Sequence, residues 1–461
     1  MSFKPLHIPL HVVVLAAGEG TRMKSNRPKV LHTLGGRPML LHLLDTAAAL
    51  SPAAVHVVVG NGAGQVQAAC AGHAVRWVLQ AERRGTGHAL MQAMPEVPDE
   101  AAVLVLLGDH PLVPVGLLQD LIAQHDTPLA LLTMTLDDPT GYGRVLRDQD
   151  DEIAAVIEER DASPEQRAIR EVNTGIILAN AARLRRWLDD LGCDNAKSEY
   201  YLTDIFGLAH AERAAVRGLR ARNAGDLQGA NDRRQLAALE ARYRARRAGE
   251  LMDAGVQLID PARVDLRGRI EAGADVCIDI DVVLEGEVRL GEGVTIGPGS
   301  ILKNCDLAAG TRVLAHCVLE GVSTTGPCDI GPFARLRPGT VLAEGCRIGN
   351  FVEAKNARLG PGSKASHLTY LGDADIGSRV NIGAGTITCN YDGANKHRTT
   401  IEDEVFVGSN TALVAPLTVH RGATIGAGST VSKDAPADTL TISRARQTAV
   451  KGWKRPTKKE S

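Results

Sequence analysis

The sequence predicts two folds in series: a doubly wound α/β domain, then a solenoid of hexapeptide repeats. Three observations carry this. Apolar runs alternate with helical patterns as far as about residue 230. A six-residue aliphatic period replaces that alternation after residue 251. Glycine follows the switch, with 27 of the 48 glycines in the final 211 residues.

In the first part, His11–Ala16, Val55–Val59, Ala102–Leu107 and Leu129–Met134 read as buried strands of a mostly parallel sheet. Met39–Ala49 and Gly87–Met94 read as helices between strands. Residues 232–248 contain no Gly or Pro, and Leu236, Leu239 and Tyr243 fall at helical spacing among arginines. That pattern predicts a solvent-facing connector helix. In the last part Val276, Val282, Val288 and Val294 are six apart. So are Ile330, Leu336, Leu342 and Ile348, and the run Val407, Leu413, Val419, Ile425 and Val431. One aliphatic residue in six fits neither a helix nor a globular strand. It fits a solenoid that stacks the same position from coil to coil, with roughly nine coils across 264–436. Two stretches look like breaks, Lys355–Leu371 and Thr388–Thr400, and insertions in solenoids are often functional. The expected domains are 1–230, a helical linker over 231–250, and 251–461.

Composition excludes several classes. A net charge of −2 over 461 residues gives no field for nucleic acid. No apolar run is long enough to span a bilayer, and MSFKPLHIPLHVVV lacks a cleavage pattern for secretion. The eight cysteines form no CxxC pair and no zinc spacing, so buried, reduced thiols in a cytoplasmic protein are expected.

The chemistry begins at "LAAGEGTRM". Leu15, Ala16, Ala17 and Gly18 end the first strand, where open α/β sheets bind ligands. Small residues let backbone N–H groups approach a ligand closely. Arg22 can then meet phosphate through its planar fork, and Lys29 in "RPKVLH" adds a second cation. Taken alone, LAAG is equally an ordinary glycine turn. Its companions are "LQAERRGTGHA" with Gln80, Gly85 and Thr86, and "LLGDHPL" with Asp109. Further along come "GYGR" with Gly143, "EVNTGI" with Asn173, "EYYLTD" with Glu199 and Thr203, and "GAND" with Asn231. A carboxylate placed like Asp109, just past a buried strand, can hold a divalent cation.

In this order the motifs resemble the sugar-nucleotide pyrophosphorylases. With the hexapeptide part added, nearly all of the chain resembles the bacterial bifunctional N-acetylglucosamine-1-phosphate uridyltransferases/glucosamine-1-phosphate acetyltransferases. That resemblance implies a Rossmann-like nucleotidyltransferase domain followed by a left-handed parallel β-helix. It implies that the LAAG backbone, Gln80, Gly85 and Thr86 read the uracil. Gly143, Glu158, Asn173 and Thr203 hold the sugar, and Asp109 and Asn231 bind Mg²⁺. One residue departs: Glu19 stands where the family often has Lys, so phosphate binding rests on Arg22, Lys29 and backbone amides.

For the second activity the resemblance assigns His367 as the base that deprotonates the glucosamine amine for attack on acetyl-CoA. A lone histidine is often structural, but this chemistry needs a base near neutrality. Arg337, Lys355, Tyr370, Asn381 and Lys396 bind the sugar phosphate or orient the base. Ala384, Asn390, Tyr391, Ser409, Ala427 and Arg444 contact acetyl-CoA. UTP and acetyl-CoA are co-substrates, and the product serves cell-wall and lipopolysaccharide synthesis. Flat solenoid faces and the basic tail carrying Trp453 suggest a homotrimer. The alternative reading is a nucleotidyltransferase for another sugar whose β-helix regulates or oligomerises.

Overall fold

The computed structural model describes residues 8–60 and 62–458. The chain divides into two compact units, Met1–Tyr243 and Arg244–Ser461.

The first unit is built on a mixed sheet. From one edge its strands run Val216–Arg220, Leu129–Thr135, Glu171–Asn180, Ala102–Leu107, Leu10–Leu15, Ala54–Val59 and Arg76–Leu79. All neighbours on this path are parallel except those of Glu171–Asn180. Leu10–Leu15, Ala54–Val59, Ala102–Leu107 and Leu129–Thr135 are buried along almost their whole length, which explains their nearly unbroken apolar runs. The four strands read from the sequence are present, shifted by a residue at most at each end. The helices fall at Met39–Ala49 and Thr86–Ala93.

The antiparallel strand Glu171–Asn180 was not read from the sequence. Its register shifts between Asn173 and Ile177, and Gly175 sits at φ +75°. The bulge breaks the two-residue alternation that marks a strand.

The connector is a helix, Arg233–Asp253, and its first half is not simply solvent-facing. Leu239 is buried with Met23, Leu34 and Met39, and Leu236 and Tyr243 pack on that cluster. Gly35 lies beneath Tyr243: a Cβ there would come within 2.1 Å of the ring, so no larger residue fits.

The second unit is a left-handed parallel β-helix. One face is an eleven-stranded sheet, and the other two faces form a continuous fifteen-stranded one. The thirteen hexad residues named from the sequence are all buried, none more than 3% exposed. Registers show how they stack. Leu266, Leu284, Leu302, Leu319, Leu336, Ala354 and Leu371 form one column. Ile278, Ile296, Val313, Ile330 and Ile348 form another.

Only one of the two expected breaks is an insertion. Asn381 pairs with Phe406, a step of 25 residues that contains Thr388–Thr400. Lys355–Leu371 is regular: Lys355 pairs with Gly372 and Asn350 with His367, each 17 apart. The coil is one residue short of three hexads, so the period slips without a loop. His367 therefore ends a strand, Lys364–His367, and does not lie in an interrupting loop.

Among the described residues no helix is long and apolar enough to cross a membrane. All eight cysteines are free and five are buried, but Cys193 is exposed.

Candidate active sites

Every first-unit residue assigned from the sequence lines one cavity of about 640 Å³ at the carboxyl ends of the parallel strands. The LAAG stretch leaves Leu10–Leu15 pinned on both sides, by Ala16 N to Val58 O at 2.8 Å and Gly108 N to Leu15 O at 2.9 Å. The GTG turn is held from behind. Gly87 N bonds to Tyr200 O at 2.8 Å, and Thr86 Oγ1 accepts from Leu202 N at 3.1 Å. The EYYLTD motif thus buttresses this loop. Gly85, at φ +107°, is required there, since a Cβ would lie 2.5 Å from Tyr200 O. Gln80 is buried, and its amide nitrogen faces Gly85 O and His88 Nδ1, both at 3.1 Å.

At the cavity floor, Lys29 Nζ lies 2.6 Å from Asp109 Oδ2 and 3.0 Å from Asn231 Oδ1. Burial alone would push the Asp109 carboxyl up. The Lys29 ammonium and His110 beside it hold it below the ordinary carboxylate range. Asp109 and Asn231 thus aim two oxygens at one point, which the Lys29 ammonium occupies. Two protein ligands suit Mg²⁺, which keeps waters and takes phosphate oxygens. No group of three His, Cys, Asp or Glu residues with metal-binding geometry occurs among the described residues. Gly229 packs closely on His110 and Asp109, since a Cβ there would meet His110 at 2.5 Å and Asp109 Oδ2 at 2.8 Å.

The opposite wall carries the sugar candidates. Thr203 Oγ1 donates to Glu158 Oε1 at 3.2 Å, and Asn173 N donates to Gly143 O at 2.9 Å. Burial pushes the Glu158 carboxyl up. Glu19 lines the cavity in an ion pair with Arg83, which the sequence reading had passed over.

In the second unit His367 is exposed at a corner of the solenoid, and its Nδ1 lies 2.9 Å from Asn350 Oδ1. Ala384, Ser409, Ala427 and Arg444 continue that corner, one per coil. The links are Gly385 N to Leu368 O (3.0 Å), Asn410 N to Ala384 O (2.7 Å) and Gly428 N to Ser409 O (2.8 Å). Arg444 closes the series by donating to Ala427 O at 2.6 Å.

A second cluster lies on the next sheet. Arg337 bonds to Glu353 Oε1 at 2.9 Å. The Lys396 amine beside Lys355 lowers the Lys355 pKa; Arg337 adds to this and Asp373 opposes it. Adjacent cations of this kind suit a phosphate. Tyr370 pairs in register with Glu353. Asp373, also passed over by the sequence reading, is buried and accepts from Asn356 at 2.6 Å and Asn390 at 2.5 Å. Tyr391 bridges to Lys396 and is exposed, forming the tip of the inserted loop. Asn381 lies instead on the sheet of His367, in register with Lys364 and Phe406.

Asn350 and Asp373 were missed because their signal is the coil length. Asn350 precedes His367 by 17 residues, and Asp373 stands 17 from both Asn356 and Asn390.

Residues 12–172 match the MobA-like NTP transferase domain. A protein of Stenotrophomonas maltophilia is 56% identical over 452 residues, 98% of this chain and 99% of that one. One of Alkalilimnicola ehrlichii is 56% identical over 447 residues, covering 97% and 96%. One of Xylella fastidiosa is 54% identical over 456 residues, covering 99% and 100%. Each is named Bifunctional protein GlmU. With an NTP transferase domain at one end, a β-helix at the other and this identity throughout, the chain belongs to the bifunctional GlmU family.

Proposed function

We propose that the chain acetylates glucosamine 1-phosphate with acetyl-CoA, then transfers UMP from UTP to N-acetylglucosamine 1-phosphate. The products are UDP-N-acetylglucosamine, a cell-wall and lipopolysaccharide precursor, and pyrophosphate. The observation that carries this reading is the presence of two separate charged sites, one in each unit. One has Lys29, Asp109 and Asn231 on its floor. The other has His367 and Asn350 at the head of a corner column.

For uridyl transfer, the sugar phosphate oxygen attacks the α-phosphorus of UTP in line, and pyrophosphate leaves. No protein nucleophile is needed. The chain's residues position and neutralise charge. Arg22 and Lys29 meet the phosphates, Gln80 and the LAAG and GTG backbones hold the base, and Glu158, Asn173 and Thr203 hold the sugar. Asp109 and Asn231 would hold Mg²⁺, which would supply further neutralisation of phosphate charge.

For acetyl transfer, His367 takes a proton from the sugar amine as nitrogen attacks the thioester carbonyl, and the CoA thiolate leaves. Arg337, Lys355 and Lys396 hold the phosphate, with Tyr370 and Asn381 positioning sugar and base. The column from Ala384 to Arg444, joined by Asn390 and Tyr391, receives the CoA arm. The thiols take no part. A cytoplasmic homotrimer is the proposed working form. The exposed tail supports it, with Trp453 69% exposed and able to reach a neighbouring copy.

The test is incubation with glucosamine 1-phosphate, acetyl-CoA, UTP and Mg²⁺, with products resolved by mass. UDP-N-acetylglucosamine is expected. Asp109→Ala abolishes uridyl transfer and spares acetyl transfer. His367→Ala does the reverse, costing acetylation about a hundredfold. Either variant losing both activities while folded would overturn the two-site division.

A further inference from the structure

Glu19 is the odd residue of the nucleotide cleft: a carboxylate in the loop that meets a polyanion. It follows Gly18, and Gly20 turns the chain at φ +64°. A Cβ on Gly20 would come within 2.6 Å of Lys29 Cβ, so the loop is fixed against the cation that faces Asp109. Arg83 stands in a second loop, between Gln80 and Gly85, which is anchored as well. Gln80 bonds to Gly85 O, and Tyr200 N bonds to Arg84 O at 2.7 Å. The Glu19–Arg83 ion pair joins these two loops, and both residues line the cavity with Arg22 and Lys29.

We propose that this pair is a latch that the triphosphate opens: the terminal phosphates replace the Glu19 carboxylate on Arg83, and Arg83 then holds the pyrophosphate as it leaves. The inference rests on the reading of this cavity as the UTP site. Three features favour exchange over a fixed salt bridge. The side chains are 50% and 40% exposed, so the pair is weak and opens readily. The guanidinium fork fits phosphate as well as it fits carboxylate. Arg22 and Lys29 are the other Arg and Lys side chains that line the cavity, so releasing Arg83 adds a third cation to match the triphosphate's charge. A phosphate arriving on Arg83 repels Glu19, which turns to water. No covalent bond changes in this step.

The experiment measures the KM for UTP and the pyrophosphate inhibition constant of uridyl transfer. It uses the full chain with N-acetylglucosamine 1-phosphate and Mg²⁺, and compares the parent with Glu19→Gln, Arg83→Gln and the double variant. Glu19→Gln frees Arg83 and lowers KM about threefold, the scale of an exposed pair. Arg83→Gln raises KM about tenfold and weakens pyrophosphate inhibition by a similar factor, the scale of a charge-assisted contact. The double variant decides the matter. With a latch it stays well above the parent KM, because the phosphate grip is gone. If Arg83 merely cancels Glu19, the double variant returns to the parent value and the latch is overturned. Unchanged pyrophosphate inhibition in Arg83→Gln overturns it equally. Uridyl transfer at saturating UTP, with the circular dichroism and thermal melt of each variant beside the parent's, reports that its first unit is folded. A parent chain that turns over no UTP would instead sink the reading of the cavity, before any variant is compared.

Discussion

Replacing Asn350 tests the proposed role of His367 as the base, and asks which of its nitrogens would take the proton. The Asn350 carboxamide oxygen, 2.9 Å from Nδ1, can only accept a hydrogen bond. It holds the proton on Nδ1 and leaves the Nε2 lone pair for the amine. A neutral hydrogen bond contributes about 0.5–1.5 kcal/mol, or about 2- to 12-fold in rate at about 1.4 kcal/mol per decade. His367 is exposed, and water competes for Nδ1, so the lower part of that range applies. Asn350→Ala is expected to lower kcat about threefold with KM for acetyl-CoA unchanged. Asn350→Asp is the sharper probe. A carboxylate at this place still accepts the Nδ1 hydrogen bond, and a charged acceptor makes that bond stronger. Asn350→Asp should therefore keep kcat close to the parent value, where Asn350→Ala does not. CoA thiol release at saturating substrates measures both variants. An unchanged kcat in Asn350→Ala, or a loss in Asn350→Asp as large as in Asn350→Ala, would refute the argument.

Other consequences are open to equally direct tests. Although burial alone would raise it, the Glu171 carboxyl is held down at about 2 by Arg147, Arg220 and Thr133. Its contribution is present above the unfolded value near 4.5 and is lost as pH falls toward 2. Glu171→Gln should therefore lower first-unit stability by about 2 kcal/mol at pH 7, a difference that closes in acid melts. Leu336→Ala, between Leu319 and Ala354 in its column, removes a fully buried side chain beside one that is already small. A loss of about 2–5 kcal/mol is expected, read as an earlier thermal inactivation of acetyl transfer; a shift below one degree would contradict the stacking. If acetylation sites are shared between chains of a trimer, co-refolded His367→Ala and Arg444→Ala chains should exceed either alone. Mixed trimers without that gain, identified by native mass spectrometry, would place both residues of each site on one chain.

What the sequence made legible depended on periodicity. The hexads fixed the buried columns because a solenoid repeats one local environment, so each match supports the next. The residues of the first-unit site converge because strand ends and glycine turns carry their own signatures. Four features escaped for physical reasons. The bulge at Asn173–Ile177 hid a strand, and a 17-residue coil mimicked an insertion around His367. The burial of Leu239 against Met23 and Leu34 depends on contacts more than 200 residues apart in the chain. Asn350, Arg83 and Asp373 act through partners one coil or one loop away, which no linear motif records.

The corner column also makes the solenoid a ruler. Adjacent strands lie about 4.8 Å apart, so the four steps from His367 to Arg444 span about 19 Å. Each coil packs mainly on its two neighbours. Removing or adding one coil within that span would change the reach by one fixed increment and leave the local packing nearly intact. With the acyl donor seated along this column as proposed, its length would be gauged in whole coils, and a variant one coil shorter should favour donors with a truncated arm over acetyl-CoA.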